Sequence, residues 1–310
     1  MIRIVPMKEL YWQVFLIFVP MFQLPGKGLL CSKKLPDTVL FGAEPGQFAA
    51  EGIRITPEEP MRTWRLQYQG PMHVSKSGLC VRYQKDPSQV VEVSFEGVWT
   101  ASSDYFDFDC DLHPPAVIRS IAREPWTNFN SGVSRAHQSH YEQFGSLGAQ
   151  LTLGGETHAL QLQSFRDHSF GARRDWSLMH RYAFHQFFLA DGTSVSVGVV
   201  CQPSTATKYL LYYVSNRLPL WQFGEGGTAP EDYAFRFQAG DRVYNVQVLV
   251  EHQAVHYVSA QWEARMCERL CRFVVDGVPG RGASEFHYRH HGGRPAAATD
   301  PDWFRNMQHT

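Results

Sequence analysis

The chain has few charges, and those it has cancel. Lysine and arginine number 29 against 30 aspartates and glutamates, the formal net charge is −1, and charged residues make up 19% of the 310. The basic residues are scattered, so the basic stripe that nucleic-acid recognition needs is missing. Cysteine is scarce and irregularly spaced: Cys31, Cys80, Cys110, Cys201, Cys267 and Cys271. Cys267 and Cys271 form a C-x3-C with no C-x2-C nearby, which excludes the usual zinc-binding spacings. Buried reduced thiols are expected, because free cysteine packs as a small hydrophobe. Nor is there a G-x-S-x-G elbow or an H-E-x-x-H pair. Gly224-Glu225-Gly226-Gly227 runs into Thr228-Ala229-Pro230 rather than Lys-Ser/Thr, so it reads as a surface loop and not a phosphate cradle. No cofactor and no metal is expected. His180 and His185 would point to opposite faces of a strand. A cluster of His287, His290 and His291 suits adventitious metal binding at most.

A long apolar run is also missing. The best stretch, Leu10 to Leu24 (LYWQVFLIFVPMFQL), falls short of the ~20 residues that span a bilayer and is broken by Pro20. Arg3 and Lys8 precede it, and Lys27, Lys33 and Lys34 follow. Three readings stay open: a membrane anchor or interfacial segment, an uncleaved signal-like start, or an apolar segment docked on the body. The first makes the protein membrane-associated on an unknown side; otherwise it is cytoplasmic.

What the chain has in plenty is aromatic residues, at 14%. With so little charge, that composition suits a β-rich protein with large apolar interiors. The length exceeds the ~150 residues of a typical domain, so one large or two medium domains are expected. Residues 25–60 are punctuated by proline and glycine and read as a linker. After them comes period-2 alternation, the mark of half-buried strands: Thr63 to Gln69, Leu79 to Tyr83, Val90 to Thr100 and Tyr105 to Leu112. The pattern lapses over 113–138, then resumes through Leu151 and Thr157 to Phe165, with Gly154-Gly155 as a two-residue hairpin turn. Ser177 to Ala190 fits helix or strand, and the Asp191-Gly192 turn favours strand. Ser194 to Cys201, Tyr209 to Ser215, Tyr233 to Gln238 and Tyr244 to Glu251 read as strands. Gln261 to Val275 and Ala283 to Arg289 join through Asp276-Gly277.

An internal echo accompanies this. Tyr141-Glu142-Gln143, a turn, and a strand ending in Phe165-Arg166-Asp167-His168 parallel Cys267-Glu268-Arg269, a turn, and a strand ending in Phe286-His287-Tyr288-Arg289-His290. A duplicated β-unit accounts for it. The expected organisation is an apolar segment (1–24), a linker (25–60), one β-barrel or sandwich (61–171), a second (172–290) and a loose tail (291–310). The fold class is all-β: two consecutive antiparallel barrels or sandwiches.

The chemistry concentrates in Phe165-Arg166-Asp167-His168-Ser169-Phe170-Gly171-Ala172-Arg173-Arg174-Asp175-Trp176, at the junction of the two halves. Asp167 and His168 form a candidate acid–base pair. Successive strand residues face opposite ways, so they share a cavity only if the strand bends, and Asp175 is the alternative partner. The competing reading is structural: Arg166, Arg173 and Arg174 locked to Asp167 and Asp175 in ion pairs, where breaking one partner costs ~3–5 kcal/mol. Trp176, Tyr182 and Phe184 are candidate walls of an apolar ligand site, with Phe187, Trp221 and Trp262 in reserve. Glu285 and His287 share a face at i, i+2 and are candidate ligand contacts.

RDHSFGARRDW, MHRYAFHQFF and ERLCRFVVDGVPGRGASEFHYRH resemble the tandem lipocalin-like family of carotenoid hydratases (hydroxyneurosporene synthase) and AttH-type proteins. They are closer still to the non-catalytic N-terminal region of animal phosphoenolpyruvate synthase-like proteins. The resemblance implies two lipocalin-like barrels and, from the hydratases, alkene protonation by Asp167, His168, Asp175 and Trp176. It also implies a hydrophobic partner molecule. The expected function is binding of an isoprenoid or lipid-like small molecule. The alternatives are a hydratase, cyclase or isomerase of the hydro-lyase or isomerase class, and an accessory or truncated region of a phosphoenolpyruvate synthase-like protein, without phosphotransfer of its own.

Overall fold

The structure is a computed structural model. It describes residues 7–8, 14–15, 21–24, 28–32, 39–40, 48–50, 52–75, 89–115, 118, 138–171, 176, 181–201, 208–210, 213–214, 228–258 and 262–293. The chain divides into two compact units. One comprises Met1–Phe108, Gln138–Gly171 and Arg294–Thr310; the other comprises Asp109–His137 and Ala172–Gly293. Both are built from curled antiparallel sheets that form half-barrels, as the alternating sequence requires.

The first unit holds β1 (Met7–Lys8), β2 (Val14–Phe15), β3 (Met21–Leu24), β4 (Gly28–Ser32), β5 (Val39–Leu40), β6 (Phe48–Ala50), β7 (Ile53–Glu59), β8 (Thr63–Ser75), β9 (Val90–Ala101), β10 (Phe106–Asp107), β11 (Gln138–Leu153) and β12 (Glu156–Gly171). Its main sheet runs β1-β12-β11-β9-β8-β4-β3, with β7 also on β8, β6 on β7 and β10 on β11; β2 and β5 pair separately. Alternation explains the core. Trp64, Leu66 and Tyr68 of β8 lie opposite Trp99, Gly97 and Phe95 of β9. These lie opposite Leu147, Ala149 and Leu151 of β11. The result is a buried stack of side chains from three strands. Gly145 makes room for it: a Cβ there would stand 2.3 Å from the Trp99 ring.

The second unit holds β13 (Arg181–Leu189), β14 (Ser194–Cys201), β15 (Lys208–Leu210), β16 (Tyr213–Val214), β17 (Asp232–Ala239), β18 (Arg242–Val258), β19 (Ala264–Val275) and β20 (Val278–Arg289). They form one sheet in the order β15-β14-β13-β20-β19-β18-β17-β16. Its core centres on Phe187, stacked on Phe273 at 4.4 Å with an interplanar angle of 17°. Val197, Phe235, Phe237, Val246, Val248 and Cys271 surround that pair.

Two tight turns set the registers. Gly154 and Gly155 (φ 55° and 93°) join β11 to β12, and Asp276 and Gly277 (φ 47° and 88°) join β19 to β20. Positive φ at both central residues is the type I′ pattern, whose twist matches that of the flanking strands.

Several sequence expectations change. The 25–60 linker contributes β4, β6 and β7 to the sheet, and Leu29, Leu30, Cys31 and Ile55 are buried. Tyr105 to Leu112 is strand only at Phe106–Asp107, and turns and bends take over in the aspartate-rich remainder. Of the expected strand over 209–215, the described parts are β15 and β16, at opposite ends of the sheet order. The end of the apolar N-terminal run, β3, is docked antiparallel on β4, and β4 on β8. Among the described residues no helix is long and apolar enough to cross a membrane. Leu79 to Tyr83 lies outside the described residues.

The Phe187–Phe273 stack yields a prediction. Phe273→Ala leaves a cavity in a fully buried site and lowers stability by about 3–5 kcal/mol, read from urea unfolding. A loss below about 1 kcal/mol would contradict this packing.

Candidate functional site

The β11–β12 turn decides which polar side chains enter the first core. Each residue of β11 faces the residue of β12 equally far from the turn. Gln143 therefore lies opposite Arg166 and Tyr141 opposite His168. Alternation puts all four on the face of Leu147 and Leu151, hence in the core. Asp167 takes the other face, opposite Glu142, and Ser169 lies opposite His140.

Arg166 is only 6% exposed. Its Nε donates to Gln143 Oε1 at 3.1 Å, and Nη2 approaches Met61 Sδ at 3.2 Å. Gln143 is itself held, with Nε2 donating to the carbonyls of Met61 (3.0 Å) and Ser103 (2.9 Å). Met61 has φ 65°, the left-handed region, so the chain accepts backbone strain where it meets this pair. The guanidinium carbon lies 4.8 Å from the centre of the Trp64 ring, 5.0 Å from Tyr141 and 5.5 Å from Trp99. Cation–π contacts of this kind are worth up to ~2 kcal/mol each when desolvated. Among the described residues no carboxylate pairs with Arg166.

The structure therefore departs from the ion-pair expectation for Arg166. Strand alternation sends its neighbour Asp167 to the opposite face. The same alternation separates Asp167 from His168, because the β11–β12 register continues without a bulge through Gly171. His168 Nδ1 instead meets the Tyr141 hydroxyl at 2.7 Å, with Phe48 edge-on at 6.5 Å. On the face of Asp167, His140 bonds Ser169 Oγ through Nδ1 (2.7 Å) and Glu142 Oε1 through Nε2 (3.3 Å). Arg173, Arg174 and Asp175 lie outside the described residues.

In the second unit the turn at 276–277 places Met266 opposite His287, and β13 places Tyr182 opposite His287 and Phe184 opposite Glu285. Tyr182, Phe184, Glu285 and His287 share the face opposite the Phe187 core. Tyr182 donates its hydroxyl proton to Glu285 Oε1 at 2.5 Å, with Met266 Sδ at 3.6 Å. Its ring stacks on His287 at 4.9 Å, and Trp176 lies 5.3 Å beyond on the same imidazole. Phe184 meets Tyr182 edge-on at 5.3 Å. The five expected ligand-wall residues are thus brought together, with Glu285 and His287 fully buried. His287 sits inside the sheet, whereas His290 Nε2 meets the Gly293 carbonyl at 3.3 Å.

The core face of the second unit carries buried polar groups as well, His185 and the expected buried thiols Cys267 and Cys271 among them. His185 Nε2 lies 2.7 Å from the Tyr233 hydroxyl, and its ring also bonds the Val197 backbone. Burial pushes the His185 pKa down to about 3, a shift that the Arg269 charge deepens and the Val197 bond opposes. The imidazole is thus neutral. Burial raises Tyr233 well above the usual phenol range. Burial also raises Cys267 and pushes Cys271 up to about 11, so both thiols stay protonated and poorly nucleophilic. Arg269, 4% exposed, donates from Nε to Gln253 Oε1 at 2.9 Å and from Nη1 to the Pro230 carbonyl, beside the Phe286 ring. Its cation has a backbone acceptor, which Arg166 does not have among the described residues.

Asp167 and His168 share no face. Among the described residues no three His, Cys, Asp or Glu side chains group as a metal ion would need. Gln143, Trp64 and Trp99 escaped the sequence reading, although counting back from Gly154-Gly155 places Gln143 against Arg166.

The buried imidazole makes stability depend on pH. In the folded protein His185 stays neutral down to about pH 3, while in the unfolded chain it protonates below ~6.5. Its contribution is full above that value and is lost as pH falls, about 2 kcal/mol by pH 5. Urea unfolding at pH 7 and pH 5 should show this loss, and His185→Phe should flatten it. An unchanged pH dependence in the variant would contradict the assignment.

The fold is similar to that of a candidate AttH from Nitrosomonas europaea, known from a crystal structure. The TM-score is 0.53 at 11% identity, over 84% of this chain and 76% of that one. The likeness bears on fold alone and agrees with tandem lipocalin-like β-sheets. No curated protein matches the chain, and nothing found supports the link to phosphoenolpyruvate synthase-like proteins. Residues 20–288 match a family of unknown function, DUF8627, and the chain belongs to that family.

Proposed function

We propose that the protein binds a hydrophobic small molecule, isoprenoid or lipid-like, against the core face of its first β-sheet unit. What supports the reading is the composition of that face. Phe48, Trp64, Phe95, Trp99 and Leu147 supply apolar and aromatic walls. Arg166, Gln143 and Tyr141 supply a few fixed polar groups. A largely apolar lining with sparse, positioned polar groups is what small-molecule sites share. Lipocalin-like sheets are commonly used in this way, and the fold is of that type. The competing enzymatic reading pairs His168 with Asp167 or Asp175; strand geometry puts Asp167 on the opposite face, and Asp175 lies outside the described residues. Binding by orientation is the function the described side chains serve best.

The test is a titration of the full chain, stripped of bound lipid, with the neutral fluorescent probe Nile red. Saturable uptake with micromolar affinity, reversed by palmitate, hexadecanol or geranylgeraniol, is the expected result. Linear, non-saturating uptake that none of the three displaces would refute the proposal.

A further inference from the structure

The geometry points to a carboxylate as the head group of the molecule bound in the first unit, received by Arg166. This rests on the binding reading above and adds the chemical class of the ligand. The argument is a count of donors and acceptors. A guanidinium has five N–H donors and no acceptor. Arg166 commits Nε to Gln143, and its other contact is the soft thioether of Met61. A thioether is a weak acceptor, so most of the donors lack a strong partner. The two indoles beside the guanidinium add to the surplus: Trp64 Nε1 and Trp99 Nε1 are both buried and make no hydrogen bond among the described residues. Among the described residues, the interior around Arg166 thus offers a cation and two unbonded indole N–H groups, and no carboxylate pairs with it.

Burying an unpaired charge is costly, and removing one partner of a buried pair typically costs ~3–5 kcal/mol. The aromatic rings offset part of that cost but use the face of the guanidinium. The in-plane edge, where N–H groups form a fork, stays suited to a two-oxygen anion. Charge selects among anions. Arg166 is the one arginine or lysine buried among the described residues of this unit. A single positive charge balances a carboxylate, whereas a phosphate monoester brings nearly two negative charges. The matching molecule is an amphiphile with an apolar tail and a carboxylate end, such as a fatty or terpenoid acid.

The experiment compares palmitate, methyl palmitate and hexadecyl phosphate on the full delipidated chain by displacement of Nile red and by calorimetry. Palmitate should bind at least about tenfold tighter than its ester, because a charge-assisted fork is lost when the oxygen is capped. The phosphate should bind no tighter than palmitate. Arg166→Met should bring palmitate down to the level of its ester, and Arg166→Lys, which keeps the charge but loses the fork, should retain part of the preference. Equal affinity for acid and ester in the wild type, or a preference that survives Arg166→Met, overturns the inference while leaving hydrophobic binding intact. Phosphate about tenfold tighter than palmitate overturns the choice of carboxylate. Displacement by none of the three overturns the binding reading and this inference with it. If Arg166→Met fails to fold, the wild-type acid-to-ester ratio decides.

Discussion

Side-chain alternation, counted outward from two tight turns, governs the interior of both units. Gly154-Gly155 pins β11 to β12 and Asp276-Gly277 pins β19 to β20. A slip of one residue would invert every side chain on a strand. In the register adopted, Arg166 and His168 face inward with Gln143 and Tyr141, and Asp167 faces away with Glu142. That parity dissolves the apparent acid–base dyad and leaves a buried guanidinium among three aromatic rings. The proposals about function follow from this parity rather than from any catalytic motif.

The two units use arginine in related ways with different outcomes. Among the described residues each buries one arginine, bonded through Nε to a glutamine on the neighbouring strand: Gln143 for Arg166 and Gln253 for Arg269. Arg269 also reaches the Pro230 carbonyl, a strong acceptor. Around it the second core is neutral, with His185 kept uncharged and Tyr233, Cys267 and Cys271 kept protonated by burial. The second core therefore reads as completed structure. The first, with its surplus of donors, reads as half of an interaction. Aromatic contacts line both, with Phe187 stacked on Phe273 in one and Phe48 tilted against Trp64 in the other.

Much of the architecture was legible in the residues. Period-2 runs such as Thr63 to Gln69 and the two glycine turns announced antiparallel strands, and the structure places them there. The i, i+2 spacing put Tyr182 with Phe184 and Glu285 with His287, each pair on one face of its strand, while the β13–β20 pairing that brings the two pairs together was not legible. What the sequence hid was longer in range. The pairing of Trp64 with Trp99 depends on a connection through residues 76–89, whose length no local pattern sets. The charged run at 165–168 looked like a set of ion pairs because adjacency in sequence suggests contact, whereas adjacency in a strand prevents it. The short strands of 25–60 were masked by proline and glycine, which mark turns between elements as readily as linkers.

The most direct test is a crystal structure of the full chain grown with palmitate. The account predicts carboxylate oxygens within about 3 Å of the Arg166 nitrogens, and the tail along Trp64, Trp99 and their apolar neighbours. An Arg166 guanidinium paired with a carboxylate of the protein itself, or a tail bound away from this face, would contradict it.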